Sequence, residues 1–434
     1  MQNEIKEKIV KYVDKNKDWL IKKIFDVVSQ NTINSPPYGN ENNGQQVIEK
    51  IFKELGLEID RFSPDDIQGF KDKSYYLEGR TYKNRDNLVG SAGNGKGFTI
   101  IFNGHIDTVP SDKFEWSRAE PFKPALIDDK IYGLGVCDMK AGIITSIFAL
   151  KVIKDLGIDI KGRVIIESAV DEEFGGANGT LACVAKGYKG DLAIITEPSS
   201  MNICISNVCS KTLLLKVSGG EGLNYFGKKF NYENPIILMS KLLLAIKDYE
   251  GCLNSIKHEY PAYKNIKKPF NFLFSDVAAG EIGPDKIMTT PGCCISRIYI
   301  MNYPDKNNME FDLMLLSFLS NYPELKKAID KKIIQILDYS RLIEGGEIDL
   351  KNKKNKKIIE SIKKNSLNLA NRKLKTGAAL GGTDFFAFNN YGNTPCIVLG
   401  PGGGNLHAAD EYVELRDLID LSKIFAATIY DNCC

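Results

Sequence analysis

Apolar residues fall into two rhythms along the chain. GFTIIF (97–102), GRVIIESAV (162–170), DLAIIT (191–196) and PCIVLG (395–400) are short runs of the length expected for strands buried on both faces. Between the first two, MKAGIITSIFALKVIKDLG (139–157) is long and periodic enough for a helix that stops at Gly157. Strands alternating with helices of this length predict an α/β domain with a mostly parallel sheet covered on both faces. From about 209 the rhythm changes. LLLKVSG reads as a strand, ENPIILMSKLLLAIKDY as a helix, CCISRIYIM as a strand and MEFDLMLLSFLSNYPELKKAIDKKI as one long helical stretch. The expectation is a smaller α+β domain (209–335) inserted into a larger one built from 1–208 and 336–434, because PCIVLG needs a sheet to join.

At 434 residues the chain is too long for one ordinary core, which agrees with more than one domain. It is 43% hydrophobic and 26% charged, with a net charge of +2, a balance that gives no reason to expect a nucleic acid or an anionic membrane as partner. The N-terminal MQNEIKEKIVKYVDKNKDWLIKKIFDVV mixes charge with apolar residues at helical spacing and has no signal-peptide core; no later segment is apolar enough to span a bilayer. The ten cysteines form no C-x-x-C pair, and Cys293–Cys294 and Cys433–Cys434 are awkward for bridges, so the reading is a reduced, cytoplasmic protein. Only His105, His258 and His407 offer imidazole.

The polar residues that follow the apolar runs change the picture. TIIF leads into His105 and Asp107, IYGLGVC into Asp138, VIIESAV into the triplet Asp171, Glu172 and Glu173, LAIIT into Glu197, and CIVLGPGGGN into His407. In a parallel sheet the carboxyl ends of strands share the edge where ligands bind. Two of the three histidines and several carboxylates would meet there, a donor set that suits Zn²⁺, and a carboxylate can bridge two such ions. Asp107, two residues beyond His105, is placed to take the ring's other N–H.

The ordered motifs GHIDTVP, YGLGVCDMKAG, VDEEFGG, TEPSS, GGTDFFAF and GPGGGNLHAADEYVEL, from about residue 45 to the end, resemble the M20 family of di-zinc metallopeptidases and deacylases, which includes acetylornithine deacetylase and succinyl-diaminopimelate desuccinylase. The resemblance implies an α/β catalytic domain interrupted by a lid that mediates homodimerisation. It implies two Zn²⁺ ions, with Co²⁺ or Mn²⁺ as substitutes: His105 and Glu197 on one, Glu173 and His407 on the other, Asp138 bridging them. Glu172 matches the general base, Asp107 the residue that orients His105, and the Asp138–Met139 peptide bond is expected to be cis. The implied reaction is hydrolysis of an amide bond in a small N-acyl amino acid or dipeptide-like substrate with a carboxylate. Successive residues of extended backbone point to opposite sides, which would send Glu173 to metal and Glu172 to water. Asp171 is expected to play a structural, hydrogen-bonding part.

Some positions carry two readings. Gly402 to Gly404 either permit tight turns before His407 or present N–H groups to a substrate carboxylate, and Arg297 is either a strand-surface arginine or a second carboxylate partner. Relatives carry a lid histidine that stabilises the oxyanion; its slot here falls among Asn224, Tyr225 and Phe226, where Asn224 or Tyr225 would have to donate instead. His258 reads as a surface residue. That departure keeps two alternatives open: an enzyme that uses the same ions for amide formation or acyl rearrangement, and a non-catalytic metal-dependent binding protein.

Overall fold

The structure, a computed structural model, describes residues 2–111, 115–175, 178–222 and 234–434. The chain divides into two compact units, one of residues 1–206, 347–379 and 383–434, the other of residues 207–346 and 380–382.

The first unit is built on a mixed sheet whose strands run in the order Gly346–Glu347, Ile203–Asn207, Cys396–Val398, Leu192–Ile195, Thr99–His105, Arg163–Ala169, Asn87–Ala92 and Glu58–Phe62, with Thr376–Ala379 beside Ile203–Asn207. The four apolar runs read from the sequence form its centre and are mutually parallel, with Phe102 opposite both Ile166 and Ile194, and Ile397 opposite Ile194. The flanking pairs are antiparallel. The flanking strands carry more polar residues and were not legible as apolar runs.

The helix Ala141–Asp155 is buried along almost its whole length, as its near-continuous apolar sequence requires. Trp19 stacks on its Phe148 at 5.4 Å between ring centroids, and Phe425 of the helix Leu415–Cys433 lies 5.0 Å from Phe102 of the sheet. A second, four-stranded sheet in the same unit runs Gly403–Gly404, Tyr412–Glu414, Lys130–Tyr132, Ala125–Ile127. Its pairing of Tyr412 with Tyr132 and Val413 with Ile131 ties the segment around His407 to the segment around Asp138, although the two are far apart in sequence.

The second unit contains a four-stranded antiparallel sheet in the order Leu273–Ala279, Cys293–Asn302, Cys209–Ser218, Ile334–Asp338. Its helix Pro235–Ser255 starts at an Asn234 cap, whose side chain accepts the N–H of Ile236. The single long helix expected over 309–333 is instead two, Asn308–Leu319 and Pro323–Asp330. Pro323 lacks the N–H a continuous helix needs and opens the second one, and Ile334–Asp338 then returns as a strand. All ten cysteines are free thiols. Among the described residues no helix is long and apolar enough to cross a membrane.

Candidate metal centre

Asp138 sits between the two histidines. Its Oδ1 is 3.1 Å from His105 Nε2 and its Oδ2 is 3.3 Å from His407 Nε2. On the His105 side, Glu197 Oε1 lies 3.4 Å and Glu172 Oε2 3.9 Å from the same ring nitrogen. On the other side, Glu173 Oε2 lies 2.9 Å from His407 Nε2. Ligand atoms of His105, Asp138 and Glu173 fall within 4.8 Å of one another, as do those of His105, Glu172 and Glu197. All seven residues singled out from the sequence, Asp107 included, are therefore brought to one place. His258 is exposed and lies in the other unit. The slot Asn224–Tyr225–Phe226 lies outside the described residues.

Backbone placement explains the convergence. His105 ends one central strand, and Asp107 lies in the loop directly beyond it. Glu197 follows the Leu192–Ile195 strand at the same edge, where the backbone of Gly400 presses on it. A Cβ on Gly400 would stand 2.1 Å from Glu197 O and 2.6 Å from Thr196 O, so only glycine permits that approach. The Asp138–Met139 peptide bond is cis.

Two expectations about local geometry are corrected. Glu172 and Glu173 do not continue the strand. The strand ends at Ala169, Asp171 takes a left-handed φ of 62°, and the two glutamates diverge from a turn rather than by strand alternation. Asp107 also acts differently from a simple ring acceptor: His105 Nδ1 is 3.0 Å from the Asp107 backbone carbonyl and 3.5 Å from its carboxylate. That carboxylate mainly accepts the N–H groups of Glu172 (3.0 Å) and Glu173 (3.1 Å) and the amide of Asn34 (2.9 Å). Asp107 thus holds the glutamate turn as much as the ring.

Of the two carboxylate-binding readings, the glycine turn is largely engaged within the protein. Gly402 N–H donates to Asp417 Oδ2 at 2.8 Å, and Gly403–Gly404 pair with Tyr412–Val413. In the second unit, Arg297 forms an ion pair with Asp276 and lies 5.2 Å over the Tyr339 ring.

Sequence reading missed Glu411. Its buried carboxylate accepts the N–H groups of Gly135 (2.7 Å), Cys137 (2.8 Å) and Asp138 (3.0 Å), which clamps the loop that presents Asp138. A second acid four residues after His407 was the only available signal. It also missed Asn34 and Arg85, which carry no local signature and reach the centre only through the fold.

The electrostatics bear on whether these residues fit a metal. Four carboxylates and two imidazoles crowd together, with His105 and Glu197 buried, Asp138, Glu172 and Glu173 partly so, and His407 exposed at the rim. Burial raises Glu197 to about 8, helped by the Asp138 charge, and raises Glu172 and Glu173 as well. Burial works to lower His407, but Glu173 and Asp138 carry it up to about 11; His105 is likewise held above its ordinary value by Asp107, Asp138 and Glu197. A divalent ion reverses that balance, keeping the carboxylates ionised and the imidazoles neutral, and the mixed N and O donor set is of the kind such ions take. The residues fit the group.

The sequence model of peptidase family M20/M25/M40 matches residues 101–431. The chain is 32% identical over 205 residues to the N-formyl-4-amino-5-aminomethyl-2-methylpyrimidine deformylase of Halalkalibacterium halodurans; the match takes in 45% of this chain but only 42% of the length of that relative. It is 26% identical to the acetylornithine deacetylase of Buchnera aphidicola subsp. Schizaphis graminum, over 81% of this chain and 84% of the relative. The fold is that of the dipeptidase Dug1p from Saccharomyces cerevisiae, with a TM-score of 0.72 at 13% identity and 98% of each chain covered. With a family match across most of its length and a divalent-metal donor set at the sheet edge, the chain belongs to peptidase family M20/M25/M40.

Proposed function

We propose that this protein hydrolyses an amide bond in a small N-acyl amino acid or dipeptide-like substrate that carries a carboxylate, using two divalent ions, Zn²⁺ in the first instance. The observation that supports this most is the Asp138 carboxylate with one oxygen facing His105 and the other facing His407, each histidine having a further glutamate against the same ring nitrogen. His105 and Glu197 would hold one ion, His407 and Glu173 the other, and Asp138 both. Such ions supply Lewis acidity, which lowers the pKa of water and polarises a carbonyl.

The remaining chemistry belongs to the chain. Burial and the charges of Asp384, Glu197 and Glu173 favour the protonated form of Glu172, so its carboxylate is a ready proton acceptor once formed. It takes a proton from the attacking water and returns it to the leaving nitrogen, a transfer typically worth about 10²–10⁴-fold. Asp107 keeps the Glu172 backbone fixed during this exchange. Small size of the substrate and a soluble, reducing compartment are part of the same reading; ten unpaired thiols support the latter.

We further assign dimerisation to the inserted unit. Its outermost strand, Leu273–Ala279, exposes Leu273 (61%) and Val277 (57%), an apolar edge of the kind a second copy covers.

Purified protein supplied with Zn²⁺ or Co²⁺ is expected to release free amine from a panel of N-acyl amino acids and dipeptides, and to lose activity when the substrate carboxylate is replaced by an amide. Turnover no greater than that of Glu172→Gln across the panel would remove the hydrolase reading.

A further inference from the structure

Joined to the centre through Asp107 is a polar network whose other members the reaction does not use. Asn34, Glu41, Asp107 and Asp171 are fully buried and Arg85 is 1% exposed, so three carboxylates are packed around one guanidinium. Arg85 Nε and Nη2 fork onto Glu41, its Nη1 donates to the carbonyls of Pro37 and Thr81, and Nη2 also reaches Asn34 Oδ1 at 3.2 Å and Asp171 Oδ1 at 3.3 Å.

The bond to Asn34 Oδ1 has a directional consequence. An amide can present its oxygen or its NH₂ to a neighbour, and the guanidinium, which only donates, selects the oxygen. The NH₂ is thereby turned to the other side, where it donates to Asp107 Oδ2 (2.9 Å) and Asp171 Oδ1 (3.2 Å). Backbone pairing holds Asn34 in place, since its N–H donates to Thr108 O at 2.9 Å.

Asp171 is fixed from further directions, by Tyr82 Oη at 2.6 Å and by Arg80 Nε at 3.2 Å. A non-glycine residue with φ of 62° needs such support, although aspartate tolerates that region better than most residues. The next two residues are Glu172 and Glu173, whose N–H groups close the circuit on Asp107.

We infer that Arg85 is a positioning residue for the centre: by orienting the Asn34 amide and anchoring Asp171, it fixes the turn that sends Glu172 to the His105 side and Glu173 to the His407 side. This rests on the metal-centre reading given above. It assigns work to a cation that touches none of the proposed ligands and lies far in sequence from Glu411, which steadies the Asp138 loop.

The test titrates metal-free protein with Co²⁺ alone, reading the visible d–d absorption, for the wild type, Arg85→Lys and Asp171→Asn. Arg85→Lys keeps the charge but loses the fork, and Asp171→Asn keeps the shape but loses the anchor charge; failure of one to fold leaves the other to decide. Each folded variant is expected to need about tenfold more Co²⁺ at the midpoint, the lower end of what outer partners of ligands contribute. The d–d band should also change shape, and kcat should fall with KM within about twofold. A purely structural role would lower thermal stability while leaving the Co²⁺ midpoint and band at their wild-type values, and that result overturns the inference alone. No Co²⁺ uptake by the wild type overturns both it and the metal-centre reading.

Discussion

Glu411 accepts the backbone N–H of Asp138 at 3.0 Å while also accepting those of Gly135 and Cys137. One carboxylate thus satisfies three donors of the loop that presents the residue standing between His105 and His407. Glu411→Gln replaces an acceptor oxygen with NH₂ and must face at least one of those N–H groups with another donor. Metal affinity is expected to fall about 10–100-fold, as for other partners that orient ligands, measured by Co²⁺ titration. Glu411→Ala leaves three buried donors unpaired and should destabilise the chain by roughly 3 kcal/mol or more in urea unfolding.

Glu172→Gln removes the proposed proton acceptor but leaves His105, Asp138, Glu173, Glu197 and His407 in place. The expected result is a loss of about 10²–10⁴ in kcat with the metal content unchanged, checked by elemental analysis beside turnover.

Removing metal should cost stability as well as activity. An ion that binds only the folded chain stabilises it, and binding at a hundredfold excess over Kd contributes about 2.7 kcal/mol. The melting temperature is expected to drop on chelation and to recover when Zn²⁺ is restored. An unchanged melting curve would count against a metal bound to the folded chain.

Glu167 gives a pH dependence independent of the centre. It is fully buried in the Arg163–Ala169 strand; Asn103 donates to its Oε2, while Oε1 has no hydrogen-bond partner among the described residues. Burial, helped by Asp384, raises its pKa from 4.5 to about 8. Between those values the folded chain keeps a proton that the unfolded chain has lost. This contribution to stability is therefore complete below the unfolded value and is lost as pH rises through about 8, by at most about 1.4 kcal/mol per pH unit. Glu167→Gln should flatten the fall in unfolding free energy between pH 5 and 8, measured by denaturant titration.

Gly400→Ala would push a methyl group into the backbone oxygens of Thr196 and Glu197. Overpacking of this kind costs roughly 1–3 kcal/mol. Because the clash falls on the Glu197 backbone, metal affinity should fall together with stability, read by thermal melting and Co²⁺ titration of the same sample.

The sequence by itself determined the four central strands, because residues buried on both faces must be apolar without interruption, and it determined the helix that follows Asp138 for the same reason. It also marked His105, Asp107, Asp138, Glu172, Glu173, Glu197 and His407, because strand tips concentrate polar groups where backbone pairing ends. Tertiary structure alone decided the rest. Pro323 marks in the sequence the break between the two helices of 309–333, but the pairing of Ile334–Asp338 with Cys209–Ser218 is announced by no local pattern. That Glu172 and Glu173 part from a left-handed turn, rather than from alternation along a strand, depended on Asp171 meeting Tyr82, Asn34 and Arg85. Those partners come from segments 86 to 137 residues away, and hydrogen bonds between distant segments leave no periodicity in the chain to read.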